Sequence, residues 1–276
     1  MIELPEAVTL ARQLRESLAG ARVAAVTAAH TPHAFAWYHG DPSAYSRLLE
    51  GRAVDDASSH GGFVELALGD ARLLFSEGAT MRLLGPDARR PPKHQLLVEF
   101  DDGRALIASI QMYGGLWVFP EGGFDNPYDT AAREAPSPLG ERFDEAHFQR
   151  LLAALGQQRS SLKAFLATEQ RVPGLGNGVL QDILYEARLH PKRRVESLGD
   201  DERATLLLSL TATLRAMVDG GGRDTERDLF GEPGRYATRC SRFTLGTACG
   251  RCGSTLEKAQ YLGGAVYTCP GCQPLA

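Results

Sequence analysis

The chain has 276 residues, 43% hydrophobic and 23% charged, with a net charge of −4 at pH 7. That length suffices for two domains with separate cores, and the absence of any run of about 18 apolar residues excludes an ordinary membrane-spanning helix. Charge is uneven: residues 1–150 hold 14 Lys+Arg against 21 Asp+Glu (−7), and residues 151–276 hold 16 against 13 (+3). A polyanion-binding face is therefore expected in the back half, where it is only mildly basic for a role in which Lys and Arg supply most of the affinity. Met1-Ile2-Glu3 opens neither a basic n-region nor an apolar h-region, so no secretory signal is expected and a cytoplasmic location follows.

Residues 5–19 predict a helix, with Pro5 at a first-turn position, Glu6 where the helix dipole welcomes a carboxylate, and Leu10, Leu14 and Leu18 as an apolar stripe ended by Gly20. From about residue 22 to 120 the pattern changes to short apolar or β-branched runs broken by turn residues: 22–27, 63–68, 72–75, 81–84, 95–100, 105–110 and 116–119. Gly69-Asp70 and Asp101-Asp102-Gly103 are hairpin turns, and this regular spacing predicts a β-sandwich or barrel. Trp37 and Trp117 are expected to be packing residues. His60 and His94 read either as surface or core-edge histidines or as polar contacts.

Residues 121–138 are rich in Gly, Pro and Asn and read as an interdomain linker. Helices are expected at about 144–155, 160–168, 177–188 and 201–218, the last with Leu207, Leu210, Leu214 and Met217 on one face. Between the second and third lies Val172-Pro173-Gly174-Leu175-Gly176-Asn177, a tight-turn pattern. It delivers an asparagine and backbone N–H groups to a helix start, where the dipole favours an anion such as phosphate. Leu189-His190-Pro191 stops that helix and opens onto Lys192-Arg193-Arg194. An ordinary helix hairpin with a glycine turn is the plain alternative. Lys163, Lys192, Arg193 and Arg194 are candidate phosphate contacts, or simply solvated charges. Residues 223–248 read as an irregular loop.

The five cysteines all fall in the last 37 residues. Cys249-x2-Cys252 and Cys269-x2-Cys272, sixteen residues apart, have the spacing of a four-thiolate zinc ribbon, with a hairpin expected in 255–267. One structural Zn2+ is expected, with all four positions filled by protein and none left open for chemistry. Cys240 has no such partner and reads as a small hydrophobe.

In this order, Glu3-Leu4-Pro5-Glu6, VPGLGN…LYEARLHPKR and the ribbon ending in YTCPGCQ resemble the formamidopyrimidine-DNA glycosylase/endonuclease VIII family over essentially the whole chain. The resemblance implies an α+β multidomain fold: an N-terminal β-sandwich with an N-terminal helix, then a C-terminal helix–two-turn–helix domain and a zinc-ribbon finger. Expected bounds are 1–121, a linker at 122–140, 141–239 and 240–276. It further implies damaged or abasic double-stranded DNA held in a cleft, with the damaged nucleotide flipped out of the stack. Glu3 would be the family's acid and Glu6 a second carboxylate; Gly176, Asn177, Lys163, Lys192 and Arg193 would meet DNA.

The departures from the family pattern are as specific. The family's nucleophile is a proline that becomes the N-terminus, and Ile2 stands there. Initiator Met is normally retained before a large residue, which would make the Ile2 nitrogen an amide. The remaining amine, at Met1, is displaced by up to about 3.8 Å, where about 1 Å can already cost a hundredfold. Gly62 occupies the place of a family lysine, Gly264 that of the finger arginine, and Ala79 that of a wedge methionine. Tyr113, within Gln111-Met112-Tyr113-Gly114, is left to stack into a gap in the duplex, or to be a half-buried strand aromatic.

Two readings follow. One is an N-glycosylase that hydrolyses the bond to an oxidised base through Glu3 and Glu6, one carboxylate protonating while the other activates water, with AP-lyase activity weak or lost. The other is a non-catalytic module for damaged DNA, or for another nucleic acid such as structured RNA. A borohydride-trapped adduct, base release without trapping, or binding alone would separate them.

Overall fold

The computed structural model describes residues 1–155 and 160–275. The described chain forms two compact units, Met1–Asp129 with Glu226–Pro233, and Thr130–Thr225 with Gly234–Ala276.

In the first unit, helix α1 (Leu4–Leu18) places Leu10, Leu14 and Leu18 inward as its period requires. Two sheets follow. Strands β1 (Val23–Ala28), β7 (Leu96–Phe100), β8 (Ala105–Ile110) and β6 (Ala79–Leu84) form one in the order β1-β7-β8-β6. The other has the order β2-β9-β5-β4-β3, from β2 (Ala36–Trp37), β9 (Gly114–Pro120), β5 (Ala71–Phe75), β4 (Phe63–Leu68) and β3 (Asp56–His60). All pairings are antiparallel except the short parallel contact of β2 with β9. One core takes Leu66, Leu68, Leu73 and Val118 from one sheet and Val98, Leu106 and Ala108 from the other, with the leucines of α1. That is the sandwich predicted from the alternating runs.

Three short elements were not predicted: β2, β3 and helix α2 (Tyr45–Leu49). Trp37, expected to pack, is 47% exposed, because β2 is a two-residue edge strand held only against the start of β9. Trp117, by contrast, is buried between Phe63 and Phe124. The presumed linker contains helix α3 (Pro127–Glu134). Proline sits at its first position, and the Asn126 side-chain oxygen Oδ1 accepts the N–H groups of Tyr128 and Asp129 at 3.0 and 3.2 Å, an asparagine cap that the composition had hidden.

The second unit contains α4 (Glu145–Leu155), α5 (Leu162–Ala167), α6 (Val179–Glu186) and α7 (Asp200–Asp219), then the hairpin β10 (Glu257–Tyr261) and β11 (Gly264–Thr268). The inner stripe of α7 is Leu206, Leu210, Thr213, Leu214 and Met217. Leu206, rather than the expected Leu207, takes the buried position. Among the described residues no helix is long and apolar enough to cross a membrane.

Candidate active site and metal centre

Glu3 caps α1. It is 2% exposed, its backbone is extended, and its N–H donates to the Glu6 carboxylate at 3.3 Å. The two acids thus form a reciprocal cap at the helix start. Ile2 is buried in the core, which fixes the chain on the N-terminal side of Glu3. The Met1 nitrogen pairs with Glu226, a residue 225 positions away in sequence. Glu226 begins the segment 226–233, which folds on the first unit. There Leu229 is buried in the core and its carbonyl accepts the Leu83 N–H at 2.9 Å, while Gln13 bonds Asp228 at 2.8 Å and the Leu229 N–H at 3.0 Å.

A third carboxylate reaches this region from the turn between β5 and β6. Glu77 is hydrogen-bonded to Tyr113, and burial followed by the negative charge of Glu3 raises its carboxyl above the usual range. Burial and the charges of Glu77 and Glu3 likewise push the Tyr113 phenol up. Tyr113 is half-buried, its ring centroid 5.9 Å from that of Trp37, and Phe35 and Met112 beside it are exposed. Glu77 and Tyr113 thus both lie within the influence of Glu3.

In the second unit, the glycine turn leads through Gly178 into α6. Gly176 is buried, and its carbonyl accepts the Leu180 N–H at 3.4 Å. The Asn177 side chain donates to the Ala265 carbonyl at 2.8 Å, and its buried Oδ1 has no hydrogen-bond partner. Lys163 is buried, donates to the Tyr261 carbonyl at 2.5 Å, and is lowered from its ordinary pKa by that burial. Its ammonium and the Asn177 amide converge on Gly264, where a Cβ would lie 3.3 Å from both. Lys192 sits 5.4 Å over the Tyr261 ring. Arg193 is turned inward to Glu202, with one N–H···O contact at 2.7 Å, and to Ser197.

Cys249, Cys252, Cys269 and Cys272 present sulfurs that all lie within 4.8 Å of one another. The Cys249–Cys272 and Cys252–Cys269 separations are 3.8 and 3.3 Å. Sulfurs bound tetrahedrally at about 2.3 Å from one ion stand roughly 3.8 Å apart, so the cluster has the dimensions of a four-thiolate site. The N–H groups of Arg251 and Cys272 point at the sulfurs of Cys249 and Cys269, both at 3.4 Å, as donors to thiolates would. A Cβ on Gly271 would come within 2.9 Å of the Cys252 sulfur. The Tyr185 hydroxyl of α6 lies 3.2 Å from the Cys249 sulfur.

The model of the formamidopyrimidine-DNA glycosylase N-terminal domain matches residues 1–154, and that of the family's H2TH domain matches residues 135–228. A formamidopyrimidine-DNA glycosylase of Symbiobacterium thermophilum is 31% identical over 100% of this chain and 90% of its own. This chain belongs to the formamidopyrimidine-DNA glycosylase family. Among solved structures, MutM (Fpg) of Thermus thermophilus superposes with a TM-score of 0.81 at 28% identity, covering 98% of each chain. A variant of Lactococcus lactis Fpg, in complex with a Fapy-dG containing DNA, gives 0.83 at 25% identity over 99% of this chain and 100% of that one.

Against that family, two carboxylates of the first unit went unnoticed in the sequence. Glu77 lies in an apolar turn, and Glu226 in a loop whose attachment to the first unit only the fold reveals. In the second unit the unnoticed residues are Gln181 and Asp182. Gln181 donates to the Ala265 carbonyl at 2.9 Å and accepts the Tyr267 N–H at 3.0 Å. Asp182, 1% exposed, accepts the N–H groups of Arg239 and Cys240, each at 2.8 Å, and burial pushes its carboxyl up to about 6. The available signal was a pair of polar residues interrupting the apolar face of α6. Cys240, the remaining thiol, is buried as expected, and burial raises its pKa. Gly62 and Gly61 form the β3–β4 turn, and the adjacent His60 meets Asp129 at 2.6 Å.

Proposed function

We propose that this chain binds damaged double-stranded DNA and excises an oxidised base by hydrolysing its N-glycosidic bond, with Glu3 as a reacting carboxylate. The observation that carries the reading is Glu3 itself: a buried acid, fixed at the start of α1 and set beside Glu77 and Tyr113. AP-lyase activity is weak or lost, because Ile2 replaces the family's proline and its side chain is locked in the core. The Met1 amine is engaged with Glu226, on a residue one position before the one at which the family's attacking nitrogen would stand.

Tyr113 is the candidate stacking residue, and Gly176, Asn177, Lys163 and Lys192 the candidate DNA contacts around α6; Arg193, expected from the sequence as another, is turned to Glu202 and is the weaker candidate. We assign zinc to the four cysteines as a structural ion that ties the two knuckles of the ribbon, and we place the protein in the cytoplasm. The similar Lactococcus lactis Fpg variant is in complex with a Fapy-dG containing DNA, which supports damaged duplex as the ligand class.

The test is incubation with duplexes carrying an oxidised base or an abasic site, with and without borohydride. Base release without a trapped adduct, abolished by Glu3→Gln, is the expected result. A trapped adduct would refute the loss of the attacking amine. Tight binding with no release would leave a non-catalytic module, the reading favoured by Ile2 at the nucleophile position and Gly264 at the finger arginine position.

A further inference from the structure

The turn carrying Glu77 is built for one position. Gly78 has φ +87°, and a Cβ on it would lie 1.7 Å from the Tyr113 carbonyl oxygen, so only glycine lets the turn close on that strand. On its other side Ser76 donates its N–H to the Gly115 carbonyl at 3.1 Å and accepts the Gly115 N–H on its hydroxyl at 2.7 Å. A Cβ on Gly114 would lie 3.0 Å from the Glu77 carbonyl oxygen. The backbone on both sides of Glu77 is thus pinned to the segment that carries Tyr113, and its carboxyl meets the Tyr113 hydroxyl with Glu3 nearby.

We propose that Glu77 is a catalytic residue, the proton donor to the departing base, and that Glu3 is the carboxylate that takes the proton from the attacking water. The assignment rests on the glycosylase reading above. In the step, the bond from the sugar C1′ to the base nitrogen breaks and its electron pair leaves with the base, which receives the Glu77 proton. Water bonds to C1′ and gives its proton to Glu3. The products are a free base and an abasic sugar, and solvent restores both carboxyls. Glu3 rather than Glu6 is the partner, because it is the Glu3 charge that bears on the Glu77 carboxyl.

The direction of the Glu77 shift agrees with a proton held for donation. The groups facing it are Glu3 and Tyr113, and both raised groups feel the Glu3 charge. Activity should therefore fall as pH rises through the elevated Glu77 pKa.

The experiment measures single-turnover base release by the full-length protein. Its duplexes carry Fapy-dG, 8-oxoguanine or an oxidised pyrimidine, and the pH series runs from about 4 to 9. Glu77→Gln should lose about 10²–10⁴ in rate and its alkaline limb, with duplex binding by anisotropy nearly unchanged. Glu77→Asp, which keeps the acid on a shorter arm, should recover part of the rate and the limb, and covers the case in which the amide variant misfolds. Full activity in Glu77→Gln beside an inactive Glu3→Gln overturns this assignment and leaves the glycosylase reading standing. Binding without base release by the unaltered protein overturns both.

Discussion

Asn177 and Gln181, one helical turn apart, donate their amide N–H groups to the same acceptor, the Ala265 carbonyl, at 2.8 and 2.9 Å. This shared bond seats the β10–β11 hairpin of the four-cysteine module on the start of α6. It also fixes the Asn177 amide, since the flipped rotamer would set Oδ1 against another carbonyl oxygen.

Asn177→Asp removes the donor and places a carboxylate oxygen against that carbonyl. The carbonyl keeps its Gln181 donor, so a stability loss of about 0.5–1.5 kcal/mol is expected, the net worth of one hydrogen bond. Thermal unfolding of the two proteins in one buffer checks it. Equal melting temperatures would mean the bond contributes nothing.

Metal content gives the second prediction. One zinc per chain is expected by elemental analysis, and a strong chelator should lower the melting temperature and free the thiols to react. Structural zinc supplies apparent binding energies of about 10–16 kcal/mol in isolated finger peptides, energy that becomes folding energy. Cys269→Ser should therefore lose both metal and stability. A metal-free protein of unchanged stability would remove the ribbon assignment.

What the sequence disclosed was whatever is local. The two CxxC pairs reveal a metal site because ligand spacing along the chain is itself the signal, and the antiparallel sandwich is legible because alternation and hairpin turns repeat. The polar strand β3 has no apolar alternation; its assignment comes from pairing with β4. Asn126 and Pro127 were a readable cap, overruled by the glycine-rich company they keep. Glu77 and Glu226 were beyond reach for a different reason. Their meaning depends on a turn packed against Tyr113 and on a segment returning to the first unit from the far end of the chain, neither of which leaves a periodic trace.

Asp182 yields a stability prediction with a pH sign. Truncating it to alanine orphans the buried N–H of Cys240, at about 1–3 kcal/mol, and removes the acceptor of the part-buried Arg239 N–H. Its folded pKa of about 6 lies above the ordinary value of about 3.9. The carboxyl's proton-linked contribution is therefore full below about pH 4 and is lost as pH rises through about 6. Urea unfolding of Asp182→Asn across that range should show a flatter profile than the unaltered chain; an identical slope would place the titration elsewhere.

The last prediction separates two neighbouring cations that the sequence could not rank. Arg193 is committed to Glu202 and Ser197, so Arg193→Ala should cost stability, within about 1 kcal/mol for a partly exposed pair, and leave the salt dependence of duplex binding unchanged. Lys192 instead lies over the Tyr261 ring. If its ammonium meets a DNA phosphate, Lys192→Ala should weaken binding across sequences and reduce the slope of log affinity against log salt by about 1. Titrations of both variants at several salt concentrations decide the matter. A reduced slope in Arg193→Ala with an unchanged one in Lys192→Ala would reverse the assignment, because the guanidinium would then have to leave Glu202 to reach the phosphate.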